Sequence, residues 1–169
     1  TGHFASLWSK LARKIGLEPI TVGENWRAGV DPEGIEKALR EDRQFEIKAV
    51  CIVHNETSTG STTVVKEVRD AIDAAGHPAL LMVDTISGLC SADLRMDEWG
   101  IDVVISGSQK GLMLPPGISF NAVGPKALEA HKSATIARSY WDWTEMLAIN
   151  KSGYFPYTPA TNLLYGLNE

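Results

Sequence analysis

Three short runs, "IKAVCIVH" (47–54), "PALLMVD" (78–84) and "DVVISG" (102–107), constrain the fold of this chain more than any other feature. Each is apolar almost throughout instead of alternating, the pattern of central strands in a parallel sheet covered on both faces by helices. Between the first two lies "TTVVKEVRDAIDAAG", with apolar residues at helical spacing and Gly76 as its stop. Upstream, "VDPEGIEKALRED" carries its own start signals: Asp31 as cap, Pro32 at the first helical position, and Ile35, Ala38 and Leu39 on one face. The opening "TGHFASLWSKLARKIG" places Phe4, Leu7, Trp8, Leu11, Ala12 and Ile15 at helical spacing, which predicts an amphipathic helix lying on an apolar surface. "EPITVG" (18–23) predicts a short strand, and a further apolar run, "ISFNAVG", precedes a helix opened by Pro125. The alternation predicts an α/β fold with a mostly parallel sheet covered by helices.

At 169 residues the chain is long enough for one domain with a real core. A net charge of −5 leaves no basic footprint for nucleic acid or an anionic membrane, so the expected partners are small molecules or other subunits. Cys51 and Cys90 sit in or beside apolar runs and read as reduced thiols. No run has the length of a membrane span and residues 1–20 lack a secretory pattern, so the expectation is a soluble, cytoplasmic-type protein. The sequons at Asn55 and Asn150 read as chance matches. The last third, "RSYWDWTEMLAINKSGYFPYTPATNLLYGLNE", is rich in aromatics, and its final helix-like stretch ends without a stop. Both ends are abrupt, which reads as an internal piece of a longer chain.

Each of the three strand-like runs is followed by a polar loop: "HNETSTG", "DTISGLC" and "GSQKG". In open α/β sheets ligands bind outside the carboxyl ends of the strands. The three loops therefore predict a site holding His54, Glu56, Thr57, Ser58, Asp84, Ser87, Gln109 and Lys110. An acid and a lysine at the tips of separate strands suit a pyridoxal phosphate enzyme, in which a lysine forms a Schiff base and a carboxylate partners the pyridine nitrogen. Negative charge beside that nitrogen keeps it protonated, so the ring can accept electrons. An Asp ending a strand also caps turns, and a lysine among glycines is also a solvated loop residue. Spacing alone leaves these readings level.

The motifs "HNETSTG", "HPALLMVDTISGLCSADLRMDEWGIDVVISGSQKGLMLPPG" and "YFPYTPATNLLYGL" closely resemble those of the serine–glyoxylate aminotransferases, within the class V, fold type I pyridoxal phosphate enzymes. The resemblance implies that residues 1–169 are the central part of the cofactor-binding large domain, without the upstream phosphate loop or the C-terminal small domain. It implies Lys110 as the Schiff-base lysine and Asp84 as partner of the ring nitrogen. Thr57 matches the hydroxyl residue near the phenolic oxygen, Gln109 lines the pocket, and Phe4 matches an aromatic stacked on the ring. Tyr157 and Thr158 fall in the stretch that reaches the cofactor phosphate of a neighbouring subunit in a homodimer with shared active sites, although Phe155 or Tyr154 could hold that register instead. The implied reaction moves an amino group from serine to glyoxylate, with alanine–glyoxylate or serine–pyruvate transamination as the alternative, or a catalytically silent scaffold from another class. The implied substrates are amino acids and 2-oxo acids, in the cytoplasm or, in a eukaryote, the peroxisome. Gln109 stands where the related cysteine desulfurases carry a histidine, and Arg95 and Arg138 do not match the family's carboxylate clamp.

Other side chains have plainer readings. His54, ending a strand, reads as a hydrogen-bonded structural histidine before a base. Glu56 reads as a loop acid paired with a helix start. Trp141, Trp143 and Met146 read as packing on a helix face. The separated histidines and cysteines lack metal-ligand spacing, so no metal is expected.

Overall fold

The structure is a computed structural model and describes residues 1–23 and 25–169. Its centre is a four-stranded sheet in the order β1 (Ala49–Val53), β4 (Leu80–Asp84), β5 (Val103–Gly107) and β6 (Ser119–Val123). β1, β4 and β5 are parallel, and they are the three apolar runs of the sequence. β6 pairs antiparallel with β5 and closes the edge, reached through the loop that bears Lys110. A separate hairpin, β2 (Asn55–Glu56) with β3 (Ser61–Thr62), occupies the stretch expected as a simple polar turn.

The helices follow the sequence signals closely where caps are explicit. In α2 (Pro32–Glu41), Asp31 accepts a hydrogen bond from the Gly34 amide, while Ile35 and Leu39 turn inward. The next helix, α3 (Val65–Ala74), buries Val65, Val68, Ala71 and Ile72 against the sheet. Together α2 and α3 cover the face that presents Ile52, Leu81, Val83 and Val104. A buried polar latch fixes the turn between them and the sheet. His77 Nδ1 accepts from the Ala79 amide, so Nε2 carries the proton and donates to Asp42 at 3.2 Å, while Asp42 also accepts the amides of Glu46 and Ile47.

Three expectations are corrected. Residues 18–23 form no strand; Pro19 lacks an amide donor and no neighbouring strand pairs with this segment. The parallel sheet is fully covered on one face only, since Cys51 on the opposite face is exposed and Met82 half-buried. The opening segment does form a helix, α1 (His3–Lys14), but it leans on β1 and β2 through its half-buried small face of Ala5, Ser9 and Ala12 together with Trp8. Its apolar stripe of Phe4, Leu7, Leu11 and Ile15 stays largely open.

The remaining helices are α4 (Pro125–His131), α5 (Trp143–Asn150) and α6 (Thr161–Asn168). Trp143 tilts against His131 and Met146 is half-buried, as a packing role requires, whereas Trp141 is exposed and packs edge-on against Tyr140. Among the described residues no helix is long and apolar enough to cross a membrane.

Leu81 is fully buried at the centre of the core. Replacing it by Ala should cost about 2–5 kcal/mol, read as a lower urea midpoint with an unchanged slope. A midpoint within error of the parent would show that the core lies elsewhere.

Candidate active site

The register of the parallel strands puts Val53 beside Asp84 and Asp84 beside Ile105. β1, β4 and β5 therefore end almost level, and their loops emerge at one edge. Backbone bonds carry the ladder beyond the strand ends: the His54 amide donates to Asp84 O at 2.8 Å and the Thr85 amide to Ile105 O at 2.9 Å. The buried Ser106 hydroxyl donates to Thr85 O, so the start of the second loop is tied to the third strand.

The first two loops are joined through Ser87. Its hydroxyl donates to Asn55 O at 2.8 Å and accepts from Asn55 Nδ2 at 3.0 Å, while Thr57 Oγ1 lies 3.2 Å away. Below them His54 is buried, with Nδ1 3.0 Å from Thr85 Oγ1. Burial holds the His54 imidazole below its usual value despite the charge of Asp93, so it is neutral at pH 7 and acts as a structural histidine.

The third loop carries the lysine and is closed by Ser108, which is fully buried. The Ser108 hydroxyl donates to Pro115 O at 2.8 Å and accepts from the Ile118 amide, and its carbonyl accepts from the Leu114 amide. Gly111 answers why glycine follows the lysine. A Cβ there would stand 2.1 Å from Leu89 O and 2.8 Å from Ser91 Oγ, so the lysine loop packs its backbone directly on the second loop. Cys90 and Met113, in these two loops, both hold left-handed backbone conformations, a strain of the kind concentrated at ligand-binding loops.

The site thus gathers Thr57, Asp84, Ser87, Gln109 and Lys110 on three interlocked loops, with Gln109 and Lys110 open to solvent. Asp84 is half-buried and accepts from the Ile86 amide at 2.9 Å. Burial pushes its carboxyl above the usual value, the Ile86 amide pulls it partly back, and the nearby charge of Glu56 adds to the rise. Glu56 behaves oppositely. Its side chain is buried, which opposes ionisation, but the Ser58 hydroxyl and the amides of Ala5, Ser58 and Phe4 outweigh burial and hold it below the usual carboxylate range. Two of those amides open α1, so Glu56 is the helix-start partner its sequence position suggests. They also tie the Phe4 backbone to this loop, and Phe4 is 44% exposed.

Tyr157 and Thr158 are exposed on the turn 153–159, where Tyr157 stacks on Tyr140 at 4.4 Å. Arg95 is paired with Asp93 and Glu98, and Arg138 with Asp142. Cys51 and Cys90 are free. Cys51 is exposed, yet desolvation by the groups around its sulfur pushes the thiol up to about 11, so it is no thiolate nucleophile. Among the described residues no group of three or more His, Cys, Asp or Glu could hold a metal ion. The roles of Ser108 and Asn55 were not legible in the sequence, because both act through hydrogen bonds to residues in other loops or beyond the next turn.

A lysine and a carboxylate stand on adjacent loops at the carboxyl edge of a parallel sheet, the place where open α/β sheets bind ligands. Residues 1–167 match the aminotransferase class-V family, and the chain belongs to that family, whose members are pyridoxal phosphate-dependent enzymes. It is 50% identical to the serine–glyoxylate aminotransferase of Methylorubrum extorquens, over 99% of this chain and 43% of that protein. It is 42% identical to the L-aspartate–glyoxylate aminotransferase of Paracoccus denitrificans, over 99% of this chain and 42% of that protein. The crystal structure of an alanine–glyoxylate aminotransferase from Nostoc superposes with a TM-score of 0.83 at 29% identity, covering 98% of this chain and 44% of that one. The chain therefore spans less than half the length of these relatives.

The donor set fits the cofactor. A carboxyl whose charge is penalised by burial gains most from a cationic partner such as a protonated ring nitrogen, and an unburied amine stands on the adjoining loop. Gly111→Ala should push the lysine loop off Leu89 and weaken cofactor binding about 10- to 100-fold, the equivalent of the ~1–3 kcal/mol that forced backbone shifts cost. Unchanged affinity, measured by fluorescence titration, would show that the two loops need not touch.

Proposed function

We propose that the protein transfers an amino group from serine to glyoxylate, giving hydroxypyruvate and glycine, with pyridoxal phosphate held at the edge formed by Thr57, Asp84 and Lys110. The observation that carries this reading is the convergence of the Asp84 and Lys110 loops in a chain half identical to a serine–glyoxylate enzyme. Greater identity to that relative than to the aspartate–glyoxylate one favours serine as donor.

When bound, the cofactor supplies an electron-accepting ring that makes the substrate α-proton acidic. Lys110 Nζ, unburied and carried on a loop closed by Ser108, binds the cofactor and moves the proton at the substrate α-carbon. Asp84 holds the proton on the ring nitrogen. Thr57, fixed by Ser87, orients the ring through its phenolic oxygen, Gln109 lines the pocket, and Phe4 limits the ring's tilt. Tyr157 and Thr158, both exposed, serve the site of the second subunit in a homodimer.

Incubation with pyridoxal phosphate, borohydride reduction and peptide mass mapping should place a pyridoxyl group on Lys110. Lys110→Ala should abolish both that label and serine-dependent consumption of glyoxylate. Scattered or absent labelling of the parent would leave a folded scaffold without cofactor and overturn the proposal.

Asp84 gives a second test with a worked sign. Its folded value is raised, so the stability it contributes is present below its unfolded value and is lost as pH rises through the folded one. Asp84→Asn keeps the acceptor for Ile86 and removes that loss. At neutral pH the cofactor-free melting midpoint should rise by about 2–4 °C, while turnover falls. A lower midpoint with normal turnover would rule out the assigned role.

A further inference from the structure

Glu56 is a buried, ionised carboxylate that the chemistry above does not use. Its two oxygens are divided between successive amides at the start of α1: Oε1 faces the Phe4 amide at 3.4 Å and Oε2 the Ala5 amide at 3.2 Å. Ser58 completes the clasp, donating its hydroxyl to Glu56 at 2.7 Å and accepting from the His3 amide at 2.9 Å. The helix has no side-chain cap of its own, since its N-cap is Gly2. Three of the four free amides of a helix start are therefore satisfied from a loop more than fifty residues away in sequence.

Gly2 makes that approach possible. A Cβ there would fall 2.4 Å from Glu56 Cγ and 2.6 Å from Ser58 Oγ. The two clasping residues flank Thr57, which Ser87 fixes in turn. One tripeptide, Glu56-Thr57-Ser58, thus ties the Phe4 backbone and the Thr57 hydroxyl to the same loop. The rest of α1 adds little hold on Phe4, because the helix has no buried residue and its apolar stripe is open.

We propose that Glu56 is a positioning residue for cofactor binding, acting through the Phe4 and Ala5 amides to hold the Phe4 ring in fixed relation to Thr57 and Asp84. This rests on the proposed function, in which Phe4 and Thr57 contact the cofactor. It gives the Glu56 of "HNETSTG" a role beyond pairing with a helix start: the carboxylate is needed for where it puts α1.

The test compares the parent, Glu56→Gln, Glu56→Ala, Phe4→Ala and the Glu56→Ala/Phe4→Ala double variant. Dissociation constants for pyridoxal phosphate are read by fluorescence titration, and amide exchange at Phe4 and Ala5 is read in the cofactor-free protein. Glu56→Ala should weaken binding on the order of tenfold. Glu56→Gln, with one carbonyl oxygen for two amides, should fall between it and the parent. The double variant should bind no more weakly than Phe4→Ala, because Glu56 acts through Phe4. Exchange at both amides should rise in each Glu56 variant. A role in stability alone would lower the melting midpoint but give losses that add to that of Phe4→Ala, and additive losses overturn the proposal. Parent-like exchange in Glu56→Gln overturns it equally, whether or not Glu56→Ala folds. Failure of the underlying function is seen separately, as a parent that takes no label at Lys110 while the exchange result still decides what Glu56 holds.

Discussion

The level alignment of three parallel strands is the constraint on which the rest of the molecule depends. With Val53, Asp84 and Ile105 in one row, the chain must leave the sheet three times at the same edge, and each exit is polar. A one-residue slip of β4 would turn Asp84 to the face packed under α2 and α3, where a lone carboxylate would be severely penalised, and would bring Leu81 and Val83 out. Core packing and site geometry are therefore fixed by a single choice of register. The same alignment explains why the loops are ordered: the backbone ladder continues past β1 and β4 through His54, Asp84, Thr85 and Ile105.

Beyond that ladder the site is held by small hydroxyls. Ser87 joins the first loop to the second, Ser106 joins the second to the third strand, and Ser108 closes the lysine loop on itself. Such groups suit the purpose because they satisfy donors and acceptors of exposed-edge backbone without the volume or rotamer freedom of a longer side chain. What they hold in place is energetically unfavourable in isolation: an acid whose charge burial opposes, and two non-glycine residues in left-handed conformations. Coexistence of these within one small region is what a ligand-binding edge costs a fold.

Much of this was legible in the sequence, and the failures share a cause. The uniform apolarity of 47–54, 78–84 and 102–107 identified the central strands, although Cys51 and Met82 lie on a face that is only partly covered here. Asp31-Pro32 marked the start of α2 because capping is local. By contrast, "EPITVG" has the composition of a strand but no partner, and pairing is not a property of six residues. The stripe of α1 read as a buried face, yet in this chain the helix meets the sheet through Ala5, Ser9 and Ala12 and is anchored by Glu56 across the fold. Glu56 was recognisable as the partner of a helix start, but nothing in "HNETSTG" says which helix. Ser108 and Gly111 stood in plain sight beside the lysine, and their purpose became definite only when Pro115, Ile118 and Leu89 were placed around them.

The arginines bear on how substrate choice relates to this edge. A 2-amino or 2-oxo acid brings a carboxylate that a guanidinium recognises best, through two parallel hydrogen bonds. Arg95 is already shared between Asp93 and Glu98, and Arg138 is engaged by Asp142 and by the carbonyls of Ala134 and Ile136. Both guanidiniums are thus turned to acids and carbonyls of their own neighbourhood and not to the edge. The groups that do converge at the edge, an amine, an acid, hydroxyls and an amide, are those that meet a pyridine ring and its substituents. Residues that face the cofactor gain nothing by varying with the amino donor, since the ring they hold is the same. Relatives named for serine and for aspartate both match the chain over nearly its whole length, as residues that meet one and the same ring require.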